Sequence, residues 1–151
     1  MQLFAMTHKN NLNLDQYGHC DCSANSVHVA GRPVSMFMCS CENCQRVGGA
    51  GHSAVVLFHA EDVRTRGALK SISRPAASGA SFTRHFCPEC GTTLLAQSSR
   101  APALRIVPVG IFAGANDWFK PNQLIFSRSH QAWDLIADHL PRHDTYRKDE
   151  A

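Results

Sequence analysis

The sequence predicts a mainly β fold built from antiparallel strands, with one or two short helices. Its apolar segments are short and rich in β-branched or aromatic residues, clusters of Gly, Pro, Ser and Asn separate them, and no long helical periodicity lies between them. This pattern favours antiparallel pairing over alternating strands and helices. The predicted strands are 27–29, 34–38, 53–58, 69–72, 81–86, 92–96, 104–109 and 124–127.

A first short helix is predicted over residues 42–47. The pair Gly48-Gly49 follows it and is typical of a helix end. Cys44 would then lie in the first turn of this helix, so the helix itself would orient one thiol.

A second helix is predicted over residues 131–140. Trp133, Ile136 and Leu140 recur there at helical spacing, and Pro141 would stop the run. We expect this apolar stripe to pack into the core rather than to bind a cofactor or a partner.

Length and composition indicate one domain without a nucleic-acid or membrane role. The chain has 151 residues, of which 44% are hydrophobic and 18% charged, enough apolar material for one core. The formal net charge is +3, and the basic residues are scattered rather than clustered. No apolar run is long enough to cross a bilayer, and the N-terminus lacks a signal-peptide pattern. We therefore expect a cytoplasmic protein, whose thiols would stay reduced.

All seven cysteines fall into three tight groups, which is typical of metal binding. The groups are Cys20-Asp21-Cys22, Cys39-Ser40-Cys41-Glu42-Asn43-Cys44 and Cys87-Pro88-Glu89-Cys90. A disulfide framework would more naturally show an even number of cysteines at wider spacings. A tetrahedral zinc takes four ligands, so seven thiols suggest one closed site and one site with three.

The segment Cys87-Pro88-Glu89-Cys90-Gly91 is the most specific of these motifs. Two cysteines three positions apart across a tight turn can direct both sulfurs at one ion, and Gly91 permits the unusual backbone of that turn. A thioredoxin-type redox pair would expect a βαβ setting, which the sequence does not indicate. The motif therefore predicts half of a zinc site.

The other half of this site is best supplied by Cys20 and Cys22. That assignment leaves Cys39, Cys41 and Cys44 together in one local loop, where they can form three corners of a second tetrahedron. The second site is then open or exchangeable, because no fourth ligand lies at a natural loop spacing. The alternative is a second closed site completed by His52, His85 or a carboxylate.

The order of these motifs resembles the glutathione-dependent formaldehyde-activating enzyme family, which also includes centromere protein V. The resemblance rests on Gly18-His19-Cys20-Asp21-Cys22, on Cys39 to Arg46 with Gly48-Gly49, on Arg84-His85-Phe86-Cys87-Pro88-Glu89-Cys90-Gly91-Thr92 and on Ser127 to Trp133. It spans residues 18–141. The chain departs from the family pattern at Cys22-Ser23, where family members often carry a Cys-Gly pair.

The resemblance implies an Mss4-like, zinc-stapled antiparallel β-fold. It implies a structural zinc at Cys20, Cys22, Cys87 and Cys90, and a second zinc at Cys39, Cys41 and Cys44. These three ligands are our candidates for the catalytic site, and partial occupancy of that second site stays open. The predicted organisation is an N-terminal extension over residues 1–17, the zinc domain over residues 18–141 and a C-terminal tail over residues 142–151.

The function implied is that of a carbon–sulfur lyase, which condenses a glutathione-like thiol with a small aldehyde such as formaldehyde. The expected partners are these two small molecules, with no nucleic acid and no membrane, and formation of a homo-oligomer stays open. A thiol would lose its proton at the vacant position of the second zinc. Arg46 and His52 are candidates for binding a carboxylate and for proton transfer, respectively.

Two other classes of function compete with the lyase. A zinc-stapled binding module without catalysis is the main alternative, although the chain lacks the long basic region that chromatin binding would favour. A zinc hydrolase or deaminase would carry a His-x-Glu motif beside its metal ligands. The sequence has one match, His59-Ala60-Glu61, which lies apart from all three cysteine groups.

Overall fold

A computed structural model describes residues 11–147, which contain ten β-strands and one α-helix. In chain order the strands are β1 (Leu14–His19), β2 (Ser26–Gly31), β3 (Ser35–Cys39), β4 (Ser53–His59), β5 (Val63–Arg66), β6 (Lys70–Pro75), β7 (Ser81–Phe86), β8 (Thr93–Ser98), β9 (Leu104–Pro108) and β10 (Leu124–Ile125). Helix α1 spans Glu42–Gly48. Three short 3₁₀ turns cover Ala60–Asp62, Val109–Phe112 and Ser127–Ser129. The predicted mainly β class is confirmed.

The strands form two sheets. The smaller sheet has the order β1-β2-β5, and the larger has the order β10-β3-β4-β9-β8-β7-β6. Every pair is antiparallel except β10 with β3, where Leu124 is registered with Met38 and Ile125 with Cys39. Apolar residues from both sheets form the main core, so the two sheets pack against each other.

Strand prediction was accurate where the apolar signal was strong. The prediction 81–86 coincides with β7, whereas β1 and β5 were not among the predicted strands. Both carry mostly polar or exposed side chains, so pairing with β2 rather than their own composition makes them strands. The prediction 124–127 was too long, because β10 ends at Ile125 and the chain turns at Phe126.

Helix α1 forms as the sequence predicted. Cys41 occupies the N-cap and its sulfur accepts a hydrogen bond from the backbone N–H of Cys44. At the other end Gly49 adopts a left-handed conformation with φ of 67°, and its N–H bonds to the carbonyl of Gln45. That conformation is the ordinary helix ending for which glycine is favoured.

The predicted second helix over residues 131–140 was wrong. The segment makes isolated turns instead, because the Asp134 and Ile136 carbonyls accept hydrogen bonds from the side chains of His130 and Arg142. Trp133 is 67% exposed, so the predicted packing of the whole stripe was also wrong. Only the end of the segment is core, where Leu140 packs with Met38 and Leu124 and with the partly buried Ile136.

Parts of the predicted N-terminal extension and of the predicted C-terminal tail are bonded to the rest of the fold. Strand β1 begins at Leu14, and the first ten residues of the predicted extension lie outside the described residues. In the predicted tail, the backbone N–H groups of Phe126 and Ser127 donate to the carbonyls of Thr145 and His143. Residues 148–151 lie outside the described part of the chain. No helix within residues 11–147 has the length and apolar character to cross a bilayer.

The large sheet curves so that α1 lies over its concave face. In a flat sheet β3 and β7, four positions apart, would be separated by about 19 Å. Yet Arg84 on β7 bonds to Asn43 in α1, directly after β3. Residues 77 and 78, beside the edge strand β6, likewise share one cavity with residues that follow β10 at the opposite edge. The curvature therefore gathers distant strands around the thiols that precede and begin α1.

Candidate metal centres

The first candidate centre joins Cys20 and Cys22, after β1, to Cys87 and Cys90, after β7. The four sulfurs lie within 4.8 Å of one another, and the Cys20–Cys22 and Cys22–Cys87 pairs are 3.6 and 3.7 Å apart. Zinc–sulfur bonds of about 2.3 Å in a regular tetrahedron imply sulfur–sulfur distances of about 3.8 Å. The thiols are therefore already spaced as a zinc site requires, and this four-cysteine cluster could hold a metal ion.

The turn that carries Cys87 and Cys90 depends on Gly91. Gly91 has φ of +79°, and its N–H bonds to the Cys87 carbonyl at 2.8 Å. The Cys87 N–H in turn bonds to the Thr92 carbonyl at 2.9 Å. These bonds close a tight turn that points both thiols the same way, for the reason that the motif predicted.

A neighbouring hydroxyl favours the thiolate form of Cys90, the form in which a cysteine binds metal. The Thr92 hydroxyl lies 3.2 Å from the Cys90 sulfur, and this hydrogen bond is the main cause that lowers the pKa of Cys90 to about 6. The same oxygen accepts a hydrogen bond from the backbone N–H of Asp21 at 3.2 Å. The Asn25 N–H donates to the Cys20 sulfur at 3.3 Å. Thr92 therefore ties the two halves of the cluster together even without a metal.

The four-cysteine cluster also links the two sheets. Cys20 and Cys22 follow a strand of the small sheet, and Cys87 and Cys90 follow a strand of the large one. Cys20 and Cys87 are fully buried within the main core. A metal held here would cross-link segments that are far apart in sequence, so its binding energy would contribute directly to folding.

The second candidate centre lies in one local segment. Cys39 ends β3, Cys41 caps α1 and Cys44 lies in its first turn. Their three sulfurs lie within 4.8 Å of one another, and no histidine or acidic side chain among residues 11–147 comes that close to all three. This three-cysteine cluster could also hold a metal ion, to which the described residues supply three protein ligands.

Charge in the three-cysteine cluster concentrates on Cys41. Hydrogen bonds from the Cys39 and Cys44 thiols, together with the backbone N–H groups of Cys44 and Asn43, lower the pKa of Cys41 to about 2. The pKa of Cys39 is raised, because its thiol is engaged with Cys41 and Cys44 and is buried. A hydrogen bond with the Cys39 thiol and one from Ser53 act to lower the pKa of Cys44, but the hydrogen bond with Cys41 and burial outweigh them, so the pKa of Cys44 is raised. These shifts favour the thiolate form at Cys41 over the thiolate forms at Cys39 and Cys44.

Arg84 is a residue of this centre that the sequence analysis missed. Its guanidinium donates a 2.6 Å hydrogen bond to the Asn43 side-chain oxygen and stacks 4.9 Å from the centroid of the Phe82 ring. Burial lowers the pKa of Arg84, and the neighbouring thiols oppose that effect by attraction. No salt bridge joins Arg84 to a carboxylate within the described residues, so the thiols are the anionic groups it faces.

Strand register explains why Arg84 and Cys39 meet. Directly paired residues in a sheet project from the same face, as do alternate residues of one strand. Cys39 is paired with Ser53 on β4, and Leu57 lies on the same face of that strand. Leu57 is paired with Ile106 on β9, Ile106 with Ala96 on β8, and Ala96 with Arg84 on β7. Both side chains therefore project from the concave face, and curvature brings them together.

The other candidates from the sequence lie outside the cluster. His52 bonds through Nδ1 to Asp134 at 2.7 Å, and His130 bonds to the Asp134 carbonyl at 2.7 Å, so His52 anchors the 130–140 segment. His85 adjoins Arg84 on β7 and so projects from the opposite face. Arg46 pairs with Glu42 at 3.2 Å on the exposed side of α1. Neither His52 nor His85 lies within 4.8 Å of all three sulfurs of the three-cysteine cluster.

The fold and the two clusters define a small, mainly β protein with two sites that could hold metal ions. The family model for glutathione-dependent formaldehyde-activating enzymes matches residues 15–129, which include all seven cysteines. The chain therefore belongs to the glutathione-dependent formaldehyde-activating enzyme family.

A solved structure supports the fold. The crystal structure of a Rhodobacter sphaeroides protein aligns with a TM-score of 0.54 and 24% identity, covering 68% of this chain and 93% of that one. At this identity the likeness extends to the fold alone. Among curated proteins, none matches the chain at a significant level.

Proposed function

We propose that the chain is a zinc-dependent carbon–sulfur lyase that joins a glutathione-like thiol to a small aldehyde. The observation that carries the proposal is the three-cysteine cluster on the concave face, in a chain of the glutathione-dependent formaldehyde-activating enzyme family. Tetrahedral zinc takes four ligands, and sites with three protein ligands are the usual catalytic arrangement.

The two clusters would have different roles. The four-cysteine cluster has the ligand set of a structural zinc, and it links the two sheets. Cys39, Cys41 and Cys44 come from one short segment and would hold an exchangeable zinc. Zinc bound there would supply a position at which a thiol is deprotonated at neutral pH.

The protein groups around the three-cysteine cluster suit a reaction that gathers negative charge. Arg84 places a cation beside the thiols, and Ser53 and the backbone N–H groups of Asn43 and Cys44 donate hydrogen bonds to them. Donors fixed before the reaction stabilise developing charge without having to reorganise. The segment that holds the cluster is therefore prepared to accept another anionic sulfur.

In the proposed reaction the substrate sulfur attacks the aldehyde carbon. A carbon–sulfur bond forms, the carbon–oxygen π bond breaks, and the proton lost by the thiol ends on the aldehyde oxygen. The product is an S-hydroxyalkyl thioether, and no oxidant or reductant is consumed. The requirement on the protein is to present thiolate and aldehyde together.

The test uses cobalt-substituted protein and glutathione. If the three-cysteine site accepts a thiol, glutathione will change the thiolate-to-cobalt absorption of that site, by adding a sulfur or by removing the metal. A Cys44→Ser variant, in which only the four-cysteine site is intact, should not respond. NMR should also show formaldehyde exchanging with glutathione faster with the protein than without it.

If neither the spectrum nor the exchange rate changes, the lyase proposal fails. The chain would then be better described as a zinc-stapled binding module, because the four-cysteine cluster would still link the two sheets.

A further inference from the structure

A basic and aromatic cavity of about 430 Å³ lies where the two edges of the curved sheet approach each other. Its wall includes two arginines, Arg100 and Arg128, and two aromatic residues, Phe126 and Tyr146. Arg100 follows β8, whereas Phe126 and Arg128 follow β10, so the cavity exists only because the sheet curves. Its volume is within the range of small-molecule sites.

Both arginines are held by stacking rather than by ion pairs. The Arg100 guanidinium lies 5.4 Å from the Tyr146 ring centroid, and that of Arg128 lies 5.5 Å from the Phe126 centroid. The two rings meet edge to face with centroids 4.8 Å apart. No carboxylate among residues 11–147 lies within salt-bridge distance of either guanidinium. Stacking uses the face of a guanidinium, so the N–H donors along its edge stay available for a bidentate anion.

The backbone under this wall is strained. Phe126 has φ of 54° and ψ of 41°, a left-handed conformation that is unusual for a bulky residue. Its N–H bonds to the Thr145 carbonyl at 2.9 Å, and its carbonyl accepts from the Ser129 N–H at 3.1 Å. The Phe126 side chain is only 7% exposed. The surrounding structure thus holds a strained residue in the cavity wall, as is common at binding sites.

One wall residue of the cavity, Phe126, directly follows a residue that is paired with the three-cysteine cluster. Ile125, which precedes Phe126, is registered with Cys39 across the β10–β3 pair. The Ser40 N–H bonds to the Ile125 carbonyl at 3.1 Å, so the two segments are joined at this point. The segment that carries Phe126 and Arg128 is therefore bonded through its backbone to the segment that carries the cluster.

We propose that Arg100 and Arg128 bind a carboxylate of the molecule that reacts at the three-cysteine cluster. This inference rests on the proposed function and narrows its substrates to those with a carboxylate distant from the reacting atom. A carboxylate suits two guanidinium edges above aromatic faces. The carboxylate can belong to the thiol or to the aldehyde, and the two sources are distinguished by experiment.

The binding test uses S-methylglutathione, which carries carboxylates but no free thiol. Its dissociation constant, measured by calorimetry, should rise about tenfold in Arg128→Gln and in Arg100→Gln, because each change removes a charged bidentate donor. Arg128→Lys keeps the charge but loses the fork and should recover only part of the affinity. The control is Arg64→Gln, an equally exposed arginine on β5 of the other sheet. Equal affinity in all variants would overturn the proposal for a thiol-derived carboxylate.

The source of the carboxylate is read from kinetics. If it belongs to the thiol, the ratio of kcat/KM for glutathione to that for cysteamine should fall about tenfold in Arg128→Gln. If it belongs to the aldehyde, the fall should appear instead in the ratio for glyoxylate to that for formaldehyde. A ratio that is unchanged in both arms, together with equal binding in all variants, would show that the cavity does not recognise substrate.

Failure of this proposal differs from failure of the lyase proposal. Arginine-dependent binding of S-methylglutathione without catalysed exchange would leave the carboxylate site intact and remove the lyase. Catalysed exchange of formaldehyde with unchanged kcat/KM ratios in the arginine variants would support the lyase and remove the carboxylate site.

Discussion

The Arg84 guanidinium donates a 2.6 Å hydrogen bond to the Asn43 side-chain oxygen, and this bond joins β7 to α1. It holds a cation beside Cys39, Cys41 and Cys44 although the described residues offer Arg84 no carboxylate. Because a metal site made of three thiolates is anionic overall, this cation should strengthen metal binding at the three-cysteine cluster.

Arg84→Gln should therefore weaken zinc binding at the three-cysteine cluster about tenfold, as is typical when a residue that supports the ligands is lost. Zinc at the four-cysteine cluster should be unaffected. Competition with a chromophoric chelator measures both affinities. Asn43→Ala keeps the cation and removes only its anchor, so its effect should be smaller.

Two outcomes would contradict this role of Arg84. One is an equal loss of affinity at the four-cysteine cluster, which would indicate a general disturbance of the fold. The other is an effect of Arg84→Gln no larger than that of Arg64→Gln, an exposed arginine on β5.

Removing one ligand from each cluster should have very different consequences for stability. Cys87→Ser breaks a cross-link between the two sheets, and we expect it to cost more than about 4 kcal/mol and to give poorly folded protein. Cys44→Ser affects a cluster that connects no distant segments, so the variant should fold and lose one of two zinc ions. Thermal melting and metal analysis on both variants provide the comparison. Melting of Cys87→Ser at the wild-type temperature with full zinc content would reverse the roles.

Mild chelation of the wild-type chain should give the same order. We expect about two zinc ions per chain in freshly prepared protein and about one after chelation, with the loss at the three-cysteine cluster. The four-cysteine cluster offers four thiols from two distant segments, whereas the three-cysteine cluster offers three thiols from one segment, so the second cluster should hold its metal less firmly. Loss of zinc first from the four-cysteine cluster would contradict this expectation.

Turn geometry at the four-cysteine cluster makes opposite predictions for two residues. Ser23 has φ of 64°, so Ser23→Gly should relieve left-handed strain in the folded chain. Glycine also makes the unfolded chain more flexible, which opposes this gain, so we expect a net stabilisation of about 0.5 kcal/mol. Gly91→Ala should destabilise the chain by about 1 kcal/mol, because Gly91 has φ of +79°, a conformation that is unfavourable for a residue with a Cβ. No atom lies within 4 Å of the added Cβ, so the cost would come from the backbone and not from a clash. Gly110→Ala is the control, since that position is also open but has no left-handed φ. Denaturant unfolding measures all three, and equal effects at Gly91 and Gly110 would exclude a backbone origin.

Local patterns in the sequence predicted much of this molecule. Two cysteines separated by two residues, Cys87 and Cys90, predicted the tight turn together with Gly91. The Gly48-Gly49 pair predicted the end of α1. Grouping of the cysteines into four and three matches the two clusters in space. Each of these predictions depends on residues that are close in sequence, or on thiols that serve one chemical purpose.

Features that depend on register and curvature could not be predicted in this way. Arg84 reaches the thiols only because residues on five strands share one face and the sheet bends. The helical spacing of Trp133 and Leu140 was misleading, because His130 and Arg142 take the carbonyls that a helix would have used. Side-chain competition of this kind leaves no periodic signal in a single sequence.

When only the four-cysteine cluster holds metal, the pKa shifts in the three-cysteine cluster make the reactivity of its thiols depend on pH in an unusual way. An ordinary cysteine with a pKa of 9.0 is ionised to about one part in ten thousand at pH 5. Neighbouring thiols and N–H groups lower the pKa of Cys41 to about 2, so its thiolate should persist as the pH falls toward that value. While the four-cysteine cluster keeps its metal, the same shift stabilises the fold fully at pH above the unfolded pKa of 9.0, and this contribution is lost as the pH falls toward the folded pKa of about 2. Iodoacetamide at pH 5 should therefore modify Cys41 first, while Cys39, which is buried and has a raised pKa, stays protected. Mass spectrometry of digested protein locates the label, and modification of Cys41 with a midpoint near pH 9 would contradict a stabilised thiolate.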